Sequence, residues 1–190
     1  ITTFYALSGT ITRKVIKNSN GTTTVQSNFL KDASGNIIRY SSAVQNINGD
    51  TQYVYHYRRN SEGVIQLDNY GYNYYDNNGA IDKSYSQNYS YDSNGYSQSV
   101  ARDWFDADGN KTSSQNFAYE RDSDGKLTTQ NISNADADGN PTTKQKYTYT
   151  YDENGTRKTD SYAYTYTGGK SYNQIYSYDS NGNSQSVARD

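Results

Sequence analysis

Cysteine is absent from this 190-residue chain, so no disulfide or thiol chemistry is available to it. That absence does not by itself fix the compartment. Proline occurs once, at Pro141, and long strand ladders can run uninterrupted on either side of it. Histidine also occurs once, at His56 between Tyr55 and Tyr57, with no thiol partner, nucleophile elbow or phosphate-binding loop in the chain. Glutamate is confined to Glu62, Glu120 and Glu153, and Glu62 and Glu153 fall in turn sequences, which argues against a catalytic carboxylate pair. No apolar run is long enough to span a bilayer. A net charge of -2 argues against a nucleic-acid partner. The expectation is a protein without enzymatic activity, cofactor or metal.

What is abundant is tyrosine, with 23 residues against 4 phenylalanines and 1 tryptophan. Apolar content is only 32%, a level that often signals disorder. Strict phasing of the aromatics argues for order instead. A turn of the form Asp/Asn-x-(small or polar)-Gly recurs, ending at Gly21, Gly35, Gly49, Gly63, Gly79, Gly95, Gly109, Gly125, Gly139 and Gly155, in steps of 14 or 16 residues. Gly168–Gly169 and Asp179-Ser180-Asn181-Gly182 close the series. Asp or Asn at the first position accepts a backbone hydrogen bond, and glycine at the fourth takes positive φ at little cost. This chemistry suits a three- or four-residue hairpin loop on a type I turn. The chain therefore reads as one β-repeat array over residues 1–190.

Side-chain parity gives the face. Tyr53, Tyr55 and Tyr57 are odd-numbered; Tyr70, Tyr72 and Tyr74 are even; Ile81, Tyr85, Tyr89 and Tyr91 are odd; Tyr96, Val100 and Trp104 are even. Val25 and Phe29 read together in the same way. A four-residue loop with an odd offset switches parity while keeping the aromatics on one face. The Thr167-Gly168-Gly169 turn reads as one residue shorter, and there Tyr172, Tyr176 and Tyr178 keep the parity of Tyr162, Tyr164 and Tyr166. Leu30, Ile37, Ile65, Leu67, Tyr75, Phe105 and Leu127 fall out of phase. The fold expected is all-β: an antiparallel meander of about 12–13 strands with one tyrosine-rich face. Beyond roughly ten strands such a sheet curls, into a spiral, a tube or a sandwich-like sheet.

Residues 83–103 recur as 170–190, differing only at Ser86/Asn173, Asn88/Ile175 and Tyr96/Asn183. The first copy runs on into Trp104-Phe105; the second reaches Asp190 within a strand. This leads us to expect further chain beyond Asp190 or a partner that completes the strand. The start at Ile1 without a signal-peptide pattern reads as a processed protein or a fragment.

Tyr89-Ser90-Tyr91-Asp92-Ser93-Asn94-Gly95, Tyr149-Thr150-Tyr151-Asp152-Glu153-Asn154-Gly155 and Tyr176-Ser177-Tyr178-Asp179-Ser180-Asn181-Gly182 resemble the Tyr-x-Tyr-Asp-x-x-Gly signature of YD (RHS-type) repeat proteins. Tyr75-Asp76-Asn77-Asn78-Gly79 is a partial copy. The Arg-Leu that often follows that family's glycine is missing, and the step is shorter than the family's. The resemblance implies a secreted hairpin array; in that family such hairpins form long spirals on bacterial surface or secreted proteins.

Candidate sites are few. Tyr96, Trp104 and Phe105 cluster beside one turn and form the best candidate for an exposed aromatic platform that stacks on sugars. Glycosylation sequons occur at Asn20, Asn88, Asn110, Asn131 and Asn154, about as often as random order gives. The Asp-x-Asp-Gly turns at Asp106, Asp122 and Asp136 lack the further ligands of a calcium loop, and turn formation explains them. Uniform repeats with free strand edges point to head-to-tail self-association in an extracellular or cell-surface bacterial filament. The alternatives are a carbohydrate-binding adhesin module with glycans as partners and a YD-type shell segment.

Overall fold

The computed structural model describes residues 2–5, 11–45, 51–179 and 181–189; the turn expected at Gly49 and the positions Ser180 and Asp190 lie outside them. The described residues form 14 strands: β1 Thr2–Tyr5, β2 Ile11–Lys17, β3 Thr23–Lys31, β4 Ile37–Gln45, β5 Thr51–Arg59, β6 Ile65–Tyr75, β7 Ile81–Tyr91, β8 Ser97–Phe105, β9 Lys111–Arg121, β10 Leu127–Ala135, β11 Pro141–Tyr151, β12 Arg157–Tyr166, β13 Ser171–Tyr178 and β14 Ser184–Arg189. Among them no helix is long and apolar enough to cross a membrane. The strands follow one another as an antiparallel meander in the order β1 to β14, open at both ends. The all-β meander read from the sequence is present, with the short β1 and β2 raising the strand count. Of the expected closures, the tube is not adopted.

The turns form as their chemistry demands. In Asp136–Asn140 the Asp136 N–H donates to the Asn140 carbonyl at 3.0 Å, and Gly139 N–H donates to the Asp136 carbonyl at 3.2 Å. Asp136 Oδ1 accepts the N–H groups of Asp138 at 3.1 Å and Asn140 at 2.8 Å, and Gly139 sits at φ 84°. The same pattern recurs at Asp32, Asp76, Asp92, Asp106, Asp122, Asp152 and Asp179. Each closing pair encloses a three-residue loop.

The parity switch has a different cause from the one read in the sequence. Tyr166–Lys170 closes on the same three-residue loop as the Asp turns, with Tyr166 in the place of Asp. What the β12–β13 hairpin lacks is a β-bulge: its register is unbroken from Thr165↔Ser171 to Thr159↔Ser177. The β2–β3 register is likewise unbroken from Lys17↔Thr23 to Arg13↔Ser27, whereas in other hairpins one residue beside the turn has no partner of its own. Ala135 faces Pro141 but Asn134 faces Thr143, which leaves Thr142 extra. Tyr151 faces Arg157 but Thr150 faces Thr159, which leaves Lys158 extra. The inserted residue moves the following strand by one step and so exchanges its faces.

Bulges also explain three of the out-of-phase residues and move two others that had read in phase. Asp68 is the extra residue of β6, so Leu67 faces Tyr57 and Ile65 faces Arg59 on the tyrosine side. Thr128 is extra in β10, and Leu127 faces Arg121 on that same side. Asp82 is extra in β7, so Ile81 pairs with Tyr75 on the opposite face; its odd number had placed it with the tyrosines. Val25 likewise pairs with Val15 and Ala43 on the opposite face, away from Phe29, because Asn28 breaks the strand at φ 57°.

The chain divides into two compact units, Ile1–Tyr89 with Arg102–Lys111, and Ser90–Ala101 with Thr112–Asp190. In the first, a ladder of rings crosses the strands: Tyr40 stacks on Tyr57 at 4.7 Å, Tyr55 meets Tyr70 at 5.1 Å, Tyr72 meets Tyr85 at 5.1 Å and Tyr85 meets Trp104 at 5.3 Å. In the second, Tyr147 meets Tyr162 at 4.8 Å, and Tyr162 meets Tyr172 at 6.2 Å. These rings on neighbouring strands make the cross-strand contacts that stabilise a sheet. The packing is thin: Val100, 6% exposed, is the one buried apolar residue among the described residues.

Candidate functional site

Tyrosines suit a half-covered face because the ring buries apolar area while the hydroxyl keeps a polar partner. Tyr172 donates its hydroxyl proton to Gln174 Oε1 at 2.6 Å, Tyr151 to the Leu127 carbonyl at 2.8 Å and Tyr178 to Asp160 Oδ2 at 2.8 Å. Tyr85 donates to Gln87 Oε1, and Gln87 and Gln174 are both buried. Crowded phenols hold their protons tightly. Burial, followed by the neighbouring Tyr55, Tyr53, Tyr85 and Tyr72, pushes Tyr70 up to about 12. Burial and the adjoining phenols of Tyr147 and Tyr164 push Tyr162 up to about 12 as well. The Asp160 carboxylate that accepts the Tyr178 hydroxyl raises that phenol too.

A second arrangement lines one edge of the second unit. Residue five of one turn lies against the glycine of the next turn along that edge. The Tyr96 ring covers Gly125 so closely that a Cβ there would fall 2.7 Å from the Tyr96 hydroxyl. The Arg121 guanidinium sits 4.9 Å from the centre of the Tyr96 ring and donates to the Gly125 carbonyl at 3.1 Å. One hairpin further on, Lys126 Nζ takes the corresponding place, 2.9 Å from where a Gly155 Cβ would be and 5.7 Å from the Tyr151 ring centre. Arg59 repeats the arginine part in the first unit, donating to the Gly63 carbonyl and, at 2.9 Å, to that of Ile37.

The residues proposed as an aromatic platform divide between the units. Tyr96 belongs to the second unit and is 42% exposed. Trp104 and Phe105 belong to the first, both half-buried, with Trp104 packed into the ladder against Tyr85. The sequon residues Asn20, Asn110 and Asn154 lie in turns, where Asn20 Oδ1 accepts the Thr22 N–H at 3.2 Å and Asn110 Nδ2 donates to Asp106 Oδ2 at 3.3 Å. Asn88 is on β7 and accepts from Asn69 Nδ2 at 2.6 Å. Asp106, Asp122 and Asp136 all direct Oδ1 at their own turn N–H groups. Those bonds hold the Asp106 and Asp136 carboxyls below the usual range.

Two features were not read from the sequence, whereas a third, the free strand edges, was expected from it. A trough of about 440 Å³ crosses the non-tyrosine face of the second unit, with Ala118, Asn131, Lys146 and Ala163 paired along one row of its lining. The small alanines opposite longer polar residues were the available signal. His56 Nδ1 is 2.9 Å from Ser41 Oγ, which also receives Asn28 Nδ2 at 3.3 Å. Parity places Ser41 and His56 opposite each other, but nothing local signals the Asn28 bulge. Finally, β1 pairs only with β2 and β14 only with β13 among the described residues, and every residue of β14 is exposed. The edge of β14 therefore offers a row of backbone donors and acceptors without a neighbouring strand.

No protein-family model matches the chain. No curated protein matches it significantly. Among solved structures it is similar to a chain of the Photorhabdus luminescens Tc holotoxin pore, at 14% identity and a TM-score of 0.17, over 94% of this chain and 12% of that one. A TM-score this low carries no argument. The tyrosine-rich antiparallel hairpins implied by the YD resemblance are present on the evidence of the strands and rings themselves.

Proposed function

We propose that this chain is a structural segment of an extracellular bacterial fibre, without catalytic activity, whose copies join head to tail by pairing strand edges. The observation that carries this reading is the open sheet, whose last strand, β14, is exposed at every residue. An added strand satisfies the free backbone groups, and a contact between unlike ends propagates because nothing closes it. Single-layer packing favours the same reading, since little apolar area is committed to a closed core. Sedimentation velocity over a wide concentration range tests it. Copies are expected to form a ladder of oligomers as concentration rises; a single monomeric boundary throughout would sink the proposal.

The adhesin alternative rests on Tyr96, 42% exposed with Arg121 against its ring. It expects saturable binding to a glycan array that Tyr96→Ala abolishes. The YD-type shell alternative rests on the Tyr-x-Tyr-Asp-x-x-Gly segments and expects further such repeats in the complete reading frame.

A further inference from the structure

Between the Asp92 and Asp122 turns of the second unit lies a pocket of about 390 Å³. Two polar atoms of its lining residues, Ser97 Oγ and Arg121 Nε, are buried and have no hydrogen-bond partner among the described residues. Buried polar groups are seldom left so, because an orphaned group keeps its full desolvation cost. Arg121 is held in place from two sides. Its guanidinium donates to the Gly125 carbonyl at 3.1 Å and sits 4.9 Å from the centre of the Tyr96 ring.

The turn carboxylates add acceptors. At Asp32, Asp106, Asp136 and Asp179, an Asn at the fifth position donates its side-chain amide to Oδ2 at between 3.1 and 3.3 Å. The fifth residues of the Asp92 and Asp122 turns are Tyr96 and Lys126, which carry no amide. Asp92 and Asp122 still accept their own turn N–H groups through Oδ1, but their Oδ2 atoms lack that amide partner. Both carboxylates line the pocket, together with Glu120. Three acids against one arginine disfavour an anionic ligand. Nor are the acids gathered round one point: among the described residues no group of three acidic or histidine side chains could hold a metal ion.

We infer that this pocket binds a neutral pyranose. Its hydroxyls would donate to the Asp92 and Asp122 carboxylates and accept from Arg121 Nε, while Ser97 Oγ can do either. The Tyr96 ring, 42% exposed, supplies apolar surface for the C–H face of the sugar. The volume falls within the range of small-ligand sites, roughly 300–1,000 Å³. This assignment rests on the adhesin alternative and is independent of the fibre reading. It moves the sugar site from the Trp104–Phe105 end of β8 to the edge where two turns meet.

The test titrates methyl glucoside, methyl galactoside and methyl mannoside into the full chain, with methyl glucuronide as the charged counterpart, and follows the Arg121 Nε–H signal by NMR. Saturable binding of at least one neutral glycoside is expected, with a shift of that signal and weaker binding of the glucuronide. Ser97→Ala and Arg121→Lys are each expected to weaken binding about fivefold, the effect of losing one hydrogen bond. Tyr96→Phe keeps the ring and is expected to leave binding unchanged, as is Glu153→Gln in an exposed turn position of the same unit. Glycan-array binding that Ser97→Ala and Arg121→Lys both leave unchanged would overturn the pocket and leave the adhesin alternative standing. No saturable binding of any glycan would overturn both, with water as the pocket's only occupant. Tighter binding of the glucuronide than of the glucoside would overturn the assignment of a neutral ligand. Ser97→Ala removes a single oxygen atom, so it keeps the test decisive should Arg121→Lys disturb the turn edge.

Discussion

At the scale of single residues, a few side chains do most of the work, and each has a measurable consequence. Gly139 and Gly125 both hold positive φ, at 84° and 80°. Open space surrounds Gly139, so Gly139→Ala should cost about 1 kcal/mol in denaturant unfolding, the strain of a left-handed alanine. Gly125→Ala should cost more, because its Cβ would also displace the Tyr96 ring. Equal losses at both sites would remove the turn-to-turn packing from the account. The tyrosine face sets the pH response. Tyr70 and Tyr162, at about 12, lie above the ordinary phenol value of 10.0. The folded state binds these protons more tightly than the unfolded chain, so their stabilisation is complete below pH 10 and is lost as pH rises towards 12. The turn carboxyls of Asp76, Asp106 and Asp136 shift the other way, so their contribution is present above the ordinary value of 3.8 and fades as pH falls below it. A stability profile measured by urea unfolding should therefore decline at both ends, and a profile flat through the alkaline range would contradict the crowded phenols. The residue identities behind these effects were legible in the sequence. The seating of Tyr96 on Gly125 was not, because it joins turns separated by a complete hairpin.

At the scale of the element, the hairpin is a turn plus a bulge. The sequence announced the turns, since Asp and Gly at fixed spacing have few other readings. It also displayed the parity switch, but loop length was the wrong cause: the loops are alike and the bulges are not. A bulge residue such as Thr142, Lys158 or Asp68 has no compositional mark, so only its consequence, an aromatic phase that slips by one, reaches the sequence. Ile65, Leu67 and Leu127 looked misplaced for this reason. Deleting Thr142 should put Tyr147 on the face opposite its β10 partner Gln130 or break the pairing of β10 with β11, so the second unit should lose protease resistance. Deleting one residue from the exposed loop at Thr167–Gly169, where no bulge follows, tests loop length by itself. Protease resistance preserved after loss of Thr142 would show that the bulge does not set the face.

At the scale of the whole molecule, the sheet of sequential hairpins pairs β1 and β14 on one side only among the described residues and has a lightly packed aromatic face. Natural sheets protect such edges with charge, proline or a covering element. β14 carries none of these along Ser184–Ala188, and its duplicate β8 is paired on both sides. The meander, the tyrosine face and the duplication were legible in the sequence because each is a local pattern repeated many times. The pocket between the Asp92 and Asp122 turns was not, since it draws on residues of two separate hairpins. Electron microscopy of the purified chain, at concentrations where an inert monomer would stay dispersed, tests the central claim most directly. Regular filaments are the expected result. Isolated particles of single-chain size at every concentration would contradict it.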